Sequence, residues 1–293
     1  PSKQTNVAHA SVQTVGPIPL PSNLSIPRYD PGPAPFRNGE TLVYHASWLG
    51  IPAAEARILL SNNAGRGDLW SGKLWLRSSP AVDVLYRMRD YVYEDFDLDD
   101  LRPRELHIFQ HEKKRRDEWS VRFNDQEHLV TSTKRNAQGR TWIRLFSGGE
   151  PWGPFSGAML ALSLPLRVGQ KYTFDVFSGG NRYVLAFTID RRETISTSMG
   201  PIRALRIVPS VVWLSEGKFM NEVSKTVLWV SDDDCHLPLR IEAAAYIGSI
   251  RVDLTQVLNG PSPPTAASEQ NVSAAQRARS SSLLDPLLLL MPE

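Results

Sequence analysis

The chain has 293 residues, 41% of them apolar, so it is long enough and apolar enough to bury a core of its own. Its 33 basic and 31 acidic residues leave a formal net charge of +2, and no overall field favours nucleic acid as a partner. A single cysteine, Cys235, excludes an intramolecular disulfide, and no apolar run approaches the length of a membrane-spanning helix.

Residues 1–37 predict an extended, proline-rich arm outside the core. Eight of the 22 prolines fall here, among them Pro17, Pro19 and Pro21, and proline favours extended conformations without ladder hydrogen bonds. The arm is either a flexible spacer between an envelope anchor and the domain or a segment that lies along a neighbouring subunit. The chain starts at Pro1 instead of methionine, which indicates a processed N-terminus with its signal peptide removed.

Residues 38–259 predict a β-rich domain built from sequential hairpins. Short runs rich in β-branched and aromatic residues are separated by turn residues, as where Asn62–Gly67 separates Ala54–Leu60 from Leu69–Leu76. Consecutive hairpins usually pair with their neighbours. The predicted fold class is therefore all-β: an antiparallel curved sheet, sandwich or open barrel with one or two short helices and extended terminal arms. The other predicted strands are Thr41–Trp48, Arg87–Tyr93, Arg104–His111, Arg116–Phe123, Glu127–Thr133, Arg140–Phe146, Lys171–Phe177, Tyr183–Ile189, Glu193–Ser198, Ile202–Trp213, Val223–Val230, Leu237–Ala244 and Ser249–Val257.

Two segments interrupt the strand pattern. Ala81–Tyr86 follows Ser78–Pro80, where serine can cap a helical turn and proline can begin one. Phe155–Leu164 lacks β-branched residues and ends before Pro165, which predicts a short helix. This helix either forms a lid over an acyl chain held in the concave sheet or plugs one end of the barrel.

Residues 260–293 predict a linker followed by an apolar docking tail. Pro261–Thr265 has the composition of a linker, and Ala266–Arg279 is polar and rich in alanine. The terminus is too short to span a membrane and too apolar for a free tail in water, so we expect another surface to cover it. The residues predicted to make this contact are Leu283, Leu284, Leu287, Leu288, Leu289, Leu290 and Met291.

Four stretches of the domain carry a family pattern. They are Gly39–Ala56, Phe155–Gly169, Leu228–Ile241 and Gly248–Leu254. Together they resemble an exported bacterial family known as domain of unknown function 3108 (DUF3108), and the resemblance covers roughly residues 38–258. It implies a β-rich envelope protein with no established activity, and it brings no catalytic or ligand-binding residues.

The titratable residues form no recognisable catalytic or metal-binding pattern. His107 and His111 on one strand would lie about 13 Å apart, too far to share a zinc ion. The acidic run Tyr93–Asp100 lacks the glycine turn of a calcium loop and favours a solvated turn, with a contact to the basic Lys113–Arg116 as the alternative. Cys235 follows three acids, which disfavour a thiolate. With no hydrolase, phosphate-loop or zinc motif, we expect no enzymatic activity, no metal and no cofactor.

Trp152 is the predicted contact residue within the domain. It lies in Gly148–Pro154, a loop rich in glycine and proline, whereas the other tryptophans mostly fall in predicted strands and are expected to pack in the core. Aromatic side chains in exposed loops are typical of protein contacts. We therefore expect Trp152 to contact a partner.

These features favour a non-enzymatic protein of the bacterial periplasm or outer cell envelope that serves as a structural or accessory subunit of a larger assembly. Its arms are predicted to bind other protein subunits, no nucleic acid is expected, and an envelope location is compatible with a nearby membrane surface. The alternative is a lipid or lipoprotein carrier that binds an acyl chain in the concave sheet. A hydrolase would require a nucleophile and a base converging in a cleft, and the sequence identifies no such pair.

Overall fold

The computed structural model describes residues 26–62, 69–213, 226–244 and 248–261, with the backbone alone at 11–15 and 212–213. These ranges form one sheet and two short helices, which confirms the predicted all-β fold. The strands are β1 Ser11–Val15, β2 Glu40–Trp48, β3 Ile51–Asn62, β4 Leu69–Ser78, β5 Arg89–Asp97, β6 Pro103–Glu112, β7 Arg115–Asn124, β8 Leu129–Asn136, β9 Thr141–Ser147, β10 Lys171–Ser178, β11 Asn181–Thr197, β12 Gly200–Trp213, β13 Val227–Ser231, β14 Pro238–Ala244 and β15 Ser249–Leu258, and the helices are α1 Pro80–Tyr86 and α2 Pro154–Ser163.

The sheet follows the chain order closely and is not closed by hydrogen bonds. Its order is β1-β9-β8-β7-β6-β5-β4-β3-β2-β15-β14-β13-β12-β11-β10. β1 is parallel to β9, whereas the other neighbouring strands are antiparallel, as sequential hairpins require. The two edges of the ladder are therefore β1 and β10.

Because neighbouring strands are antiparallel, their connections alternate between two ends of the sheet. We call these the α1 end and the α2 end, after the helix found at each. The α1 end carries α1 and the turns at 49–50, 113–114, 137–140 and 179–180. The α2 end carries the connections at 98–102, 125–128, 148–153, 198–199 and 232–237.

The edge strand β10 packs against the face of β7–β9, which gives the sheet a barrel-like curvature. The buried ring of Phe177 lies edge-on to Phe146 and Phe123, with centroids 4.9 and 6.2 Å away. The Ser132 hydroxyl on β8 donates a hydrogen bond to the Gly179 carbonyl at 2.6 Å. Aromatic packing and this hydrogen bond thus help to join β10 to β7–β9, which do not pair as strands.

The larger core lies between α2 and the concave face of the sheet. Leu160 of α2, Leu205 of β12 and Leu254 of β15 are fully buried in it. Burying such a side chain contributes about 1.5–3 kcal/mol, so this contact accounts for much of the stability of the helix, which is too short to persist alone. A second, smaller core lies between β6–β9 and Phe177.

Residues 26–36, which the sequence assigns to the N-terminal arm, lie against the domain. The ring of Tyr29 is 5.1 Å from that of Phe174, and its hydroxyl accepts a hydrogen bond from the Thr173 amide at 3.1 Å. Phe36 is buried in the larger core. This stretch therefore contributes to the packing of the domain, and a docking role for the arm stays a prediction.

A buried ion pair fixes the loop between β9 and α2. Arg182 donates a bidentate pair of hydrogen bonds to Asp175, with Nε 2.8 Å from Oδ1, and its Nη1 donates to the Gly148 carbonyl at 2.7 Å. Both side chains are buried. A buried charge that loses its partner is costly, so this pair constrains the loop and the β10–β11 hairpin together.

We expect Arg182→Ala to lower the free energy of unfolding by about 3–5 kcal/mol, because it leaves Asp175 buried without its guanidinium partner. The control is Arg191→Ala, since Arg191 pairs with Asp190 and Glu193 at the surface and should change stability by about 1 kcal/mol or less. Urea denaturation followed by tryptophan fluorescence measures both values. Equal losses in the two variants would contradict a structural role for the buried pair.

Candidate functional site

An apolar cavity of about 520 Å³ lies inside the curved sheet, between α2 and the strands that face it. Among the described residues that line it, all side chains are apolar except for the hydroxyls of Tyr44 and Tyr183. The Tyr44 hydroxyl is already used, because it donates to the Pro238 carbonyl at 2.9 Å. The volume falls in the range of about 300–1,000 Å³ that is usual for small-molecule pockets, and the lining suits an apolar ligand.

The sequence of α2 explains why space remains here. Ala161 lies four residues after Gly157 and three after Ala158, and all three line the cavity from one side of the helix. Met159 and Leu160, by contrast, are buried in the core. Short side chains on one face and long ones on the other seat the helix while leaving the cavity unfilled.

The first turn of α2 rests on a fully buried carboxylate, Glu94 of β5. Its Oε2 accepts a hydrogen bond from the Phe155 amide at 2.7 Å, and its Oε1 accepts one from the Ser156 amide at 3.0 Å. The first amides of a helix have no partner within the helix and carry partial positive charge. Glu94 supplies acceptors for two of these amides.

Two glycines allow the first turn of α2 to lie this close to β4 and β5. A Cβ at Gly72 of β4 would lie 2.4 Å from the Phe155 ring, and a Cβ at Gly153 would lie 2.3 Å from Glu94 Oε1. Contacts this short do not occur between real atoms, so any side chain at either position would push the helix away from β5. The position of the first turn of α2 thus depends on the Glu94 carboxylate and on glycine at positions 72 and 153.

Burial raises the pKa of Glu94 to about 7, although hydrogen bonds from Ser156 and Phe155 act in the opposite direction. The neighbouring charge of Asp95 adds to the rise. Since a raised acid pKa means that the folded state binds a proton more tightly than the unfolded state, the protonated form favours folding.

We expect the contribution of Glu94 to the free energy of unfolding to be fully present in acid, below its unfolded-state pKa, and to be lost as pH rises through about 7. The total change attributable to this group is about 3 kcal/mol, at about 1.4 kcal/mol per pKa unit. Glu94→Gln should flatten this dependence because glutamine does not ionise. Urea denaturation at a series of pH values measures it, with Glu118→Gln on the exposed side of β7 as the control. An unchanged pH slope in Glu94→Gln would contradict the assignment.

The cavity leads towards the α1 end. Val252 lines it, and along β15 the side chains on the same face change from buried Leu254, through half-buried Val252, to Ile250, which is 41% exposed. On the neighbouring β2, Tyr44 is buried and Trp48 is 37% exposed, and Trp48 pairs with Ile250. On the concave face, an apolar path of increasingly exposed side chains therefore runs from the cavity along β2 and β15 towards the α1 end.

The predicted contact residue Trp152 lies at the α2 end, partly buried against the larger core. Its amide donates to the Asp175 carbonyl and its carbonyl accepts from the Phe177 amide, both at 2.8 Å, so its backbone extends the edge of β10. The Arg102 guanidinium lies over its ring, 4.3 Å from the centroid. That Trp152 contacts a partner stays a prediction.

The other predicted contact residues lie outside the described residues. They are Pro17, Pro19 and Pro21 in the N-terminal arm and Leu283, Leu284, Leu287, Leu288, Leu289, Leu290 and Met291 in the C-terminal tail. Their predicted roles stay predictions.

The expectation of a solvated turn at the acidic run 93–100 is wrong for its first half. Glu94 and Asp95 are buried within β5, and Asp95 accepts a hydrogen bond from the Ser71 hydroxyl at 2.5 Å. The next acid, Asp97, pairs with Arg104 across the β5–β6 connection. Because the consecutive residues Glu94, Asp95 and Phe96 are all buried, both faces of β5 are covered at this point.

The remaining titratable candidates have local structural contacts. Burial and the nearby Asp233 charge raise the pKa of the Cys235 thiol, which disfavours the thiolate as expected. The His107 imidazole lies 3.6 Å from the Glu105 carboxylate. No cluster of three or more potential metal ligands occurs within the described residues, and no helix among them is long and apolar enough to cross a membrane.

Sequence reasoning missed Glu94 and the cavity-lining face of α2. The available signal for the helix face was the triplet of small residues at 157, 158 and 161. For Glu94 the local sequence carries no such signal, because its role depends on a helix that begins about sixty residues later in the chain.

The fold and the cavity define a barrel-like β protein with an apolar cavity in its interior. The chain belongs to the family described as protein of unknown function (DUF3108), whose model matches residues 43–255. The resemblance that the sequence motifs indicated is thereby confirmed. No curated protein matches the chain.

Several solved structures are similar in fold. A beta-barrel-like protein of domain of unknown function DUF1849 from Brucella abortus has a TM-score of 0.48 and 8% identity, and the match covers 74% of this chain and 96% of that one. A candidate lipoprotein from Parabacteroides distasonis has a TM-score of 0.33 and 6% identity, with 79% and 100% covered. A candidate exported protein with a YmcC-like fold from Bacteroides fragilis has a TM-score of 0.34 and 6% identity, with 79% and 99% covered.

Proposed function

We propose that the protein is a non-enzymatic lipid carrier of the bacterial cell envelope, which holds an acyl chain in the cavity between α2 and the sheet. The cavity carries the proposal, because its lining is apolar and its volume suits a small ligand. Each methylene removed from water contributes about 0.8 kcal/mol, so a chain enclosed along its length would bind without any polar anchor in the cavity. The envelope location rests on the exported family that the sequence resembles.

The position of α2 supports a cavity that is loaded from one end. The helix lies at the α2 end, where its first turn is held by Glu94 and where its last turn is held by His236, whose Nδ1 lies 2.8 Å from the Leu162 carbonyl. The apolar path along β2 and β15 leads to the opposite end. An acyl chain that enters from the α1 end would contact progressively more buried side chains, from Ile250 to Leu254.

We expect Ala158→Trp to weaken binding of a fluorescent long-chain fatty acid by about tenfold or more, because the indole would occupy the cavity. Ala158 is exposed to the cavity, so the larger side chain has room and folding should be retained. The control is Ala81→Trp, an exposed alanine of α1. Thermal unfolding of each variant verifies the fold. Absence of uptake by the unaltered protein, or equal uptake by both variants, would refute the carrier.

A second proposal is the assembly role expected from the arms, and an exposed apolar rim at the α1 end favours it. Leu49 and Ile51 are each 57% exposed, and they adjoin Trp48 and Ile250 through the pairing of β2 with β3 and β15. Clustered exposed apolar side chains usually mark an interaction surface. The protein would then be a structural or accessory subunit that docks to other protein subunits through its terminal arms and this rim.

The assembly role predicts that the full chain migrates as part of a larger particle in native gels of the envelope fraction. Deletion of residues 262–293 should shift it to the mass of a single chain, because the apolar tail would be the docking segment. The control is Val84→Ser, which removes an exposed apolar side chain of α1 without touching either arm. Migration of the full chain as a monomer would argue against assembly, and its recovery from the cytoplasmic fraction would argue against the envelope location.

A further inference from the structure

A second cavity of about 790 Å³ lies beside the first, towards the α1 end. One wall is the concave face of β6–β9, and the other is the β10–β11 turn with Tyr183 and Val211 behind it. The bond from Ser132 to the Gly179 carbonyl and the packing of Phe177 on Phe146 join the two walls. We call this space the cationic cleft, and its walls are held in place without a ligand.

Three cations and two indoles face into the cationic cleft. Arg115, Lys134 and Arg144 line it together with Trp119 and Trp142, and none of its described lining residues is acidic. Strand alternation explains the grouping, since Lys134 pairs with both tryptophans across β7 and β9 and all three side chains lie on one face.

The positive charge of the cationic cleft is only partly neutralised. The buried Asp117 pairs with Arg115 at 2.5 Å and with Lys134 at 3.0 Å. Burial acts to raise the pKa of Asp117, but hydrogen bonds from Lys134 and Arg115 outweigh it and hold that pKa below its usual value. Arg144 is exposed and has no ion-pair partner among the described residues. One carboxylate therefore faces three cations.

The indoles orient the central cation. Lys134 Nζ lies 4.9 Å from the ring centroid of Trp119 and 5.9 Å from that of Trp142. Cation–π contacts of this kind hold an ammonium group at a defined position. Lys134 and the guanidinium of Arg144, which suits a phosphate or carboxylate geometrically, both line the cationic cleft and together favour an anion there.

The cationic cleft and the apolar cavity are contiguous. Tyr183 lines both of them, and Leu185, which lines the apolar cavity, pairs with Val211, which lines the cleft. A molecule with an acyl chain in the cavity would therefore have its polar end beside Arg144 and Lys134. The order of the two sites matches the order of chemical groups in an anionic phospholipid.

We propose that the cationic cleft binds the phosphate headgroup of the lipid whose acyl chain occupies the apolar cavity, so that the carried ligand is an anionic phospholipid. This assignment rests on the proposed carrier function and extends it to the class of lipid.

The test uses three probes on the delipidated full-length protein. It separates the contribution of the phosphate headgroup from that of the acyl chains. A short-chain phosphatidylglycerol has both parts, the diacylglycerol with the same chains lacks the phosphate, and glycerol phosphate lacks the chains. We expect isothermal titration calorimetry to show phosphatidylglycerol binding at least about tenfold more tightly than either fragment, since a charge-assisted contact contributes about 1.5–3 kcal/mol.

The diagnostic variant is Arg144→Glu, which removes a cation that makes no ion pair among the described residues and so should leave the fold intact. It should abolish the preference for phosphatidylglycerol over diacylglycerol. The matched control is Arg135→Glu, which makes the same charge change on the opposite face of β8 and should keep the preference.

Each other result has a distinct meaning. Equal binding of phosphatidylglycerol and diacylglycerol, unaffected by Arg144→Glu, would overturn the headgroup site and leave the acyl carrier standing. Binding of neither lipid would overturn the carrier function together with the headgroup site. Glycerol phosphate binding as tightly as phosphatidylglycerol would identify a free-phosphate site and overturn the link to a lipid.

Discussion

The contact between Glu94 and the first turn of α2 determines the shape of the interior. A ten-residue helix has little stability of its own, so its position inside the sheet depends on what satisfies its unpaired amides and buries its apolar face. Glu94 does the first and the larger core does the second. With the helix held at the α2 end, its short side chains face a space that no other described residue fills.

The side chains that line the resulting interior change from apolar to partly cationic along the strand direction. Near α2 the lining is apolar, and towards the α1 end it divides into the cationic cleft on β6–β9 and the apolar path on β2 and β15. This arrangement follows from strand alternation, because each strand contributes every second side chain to the concave face.

The elements themselves were largely predictable from local sequence. The helix predicted at Phe155–Leu164 occupies Pro154–Ser163, and the one predicted at Ala81–Tyr86 occupies Pro80–Tyr86, because serine, glycine and proline mark helix boundaries through short-range geometry. The acidic run 93–100 was misjudged for the opposite reason. The polarity of the run indicated exposure to solvent. The burial of Glu94 depends instead on Phe155 and Ser156, which are remote in sequence.

The sequence by itself determined the all-β class, most of the hairpins, both short helices and the family, since these depend on residue type and on spacing within a few positions. The two strands predicted at Tyr183–Ile189 and Glu193–Ser198 form the single strand β11. Only the tertiary structure decided that Phe177 would fold onto Phe146, that Glu94 would hold α2, and that an apolar cavity and a cationic cleft would meet at Tyr183. The physical reason is curvature. Which distant strands face one another depends on how the whole sheet bends, and no short segment of the chain carries that information.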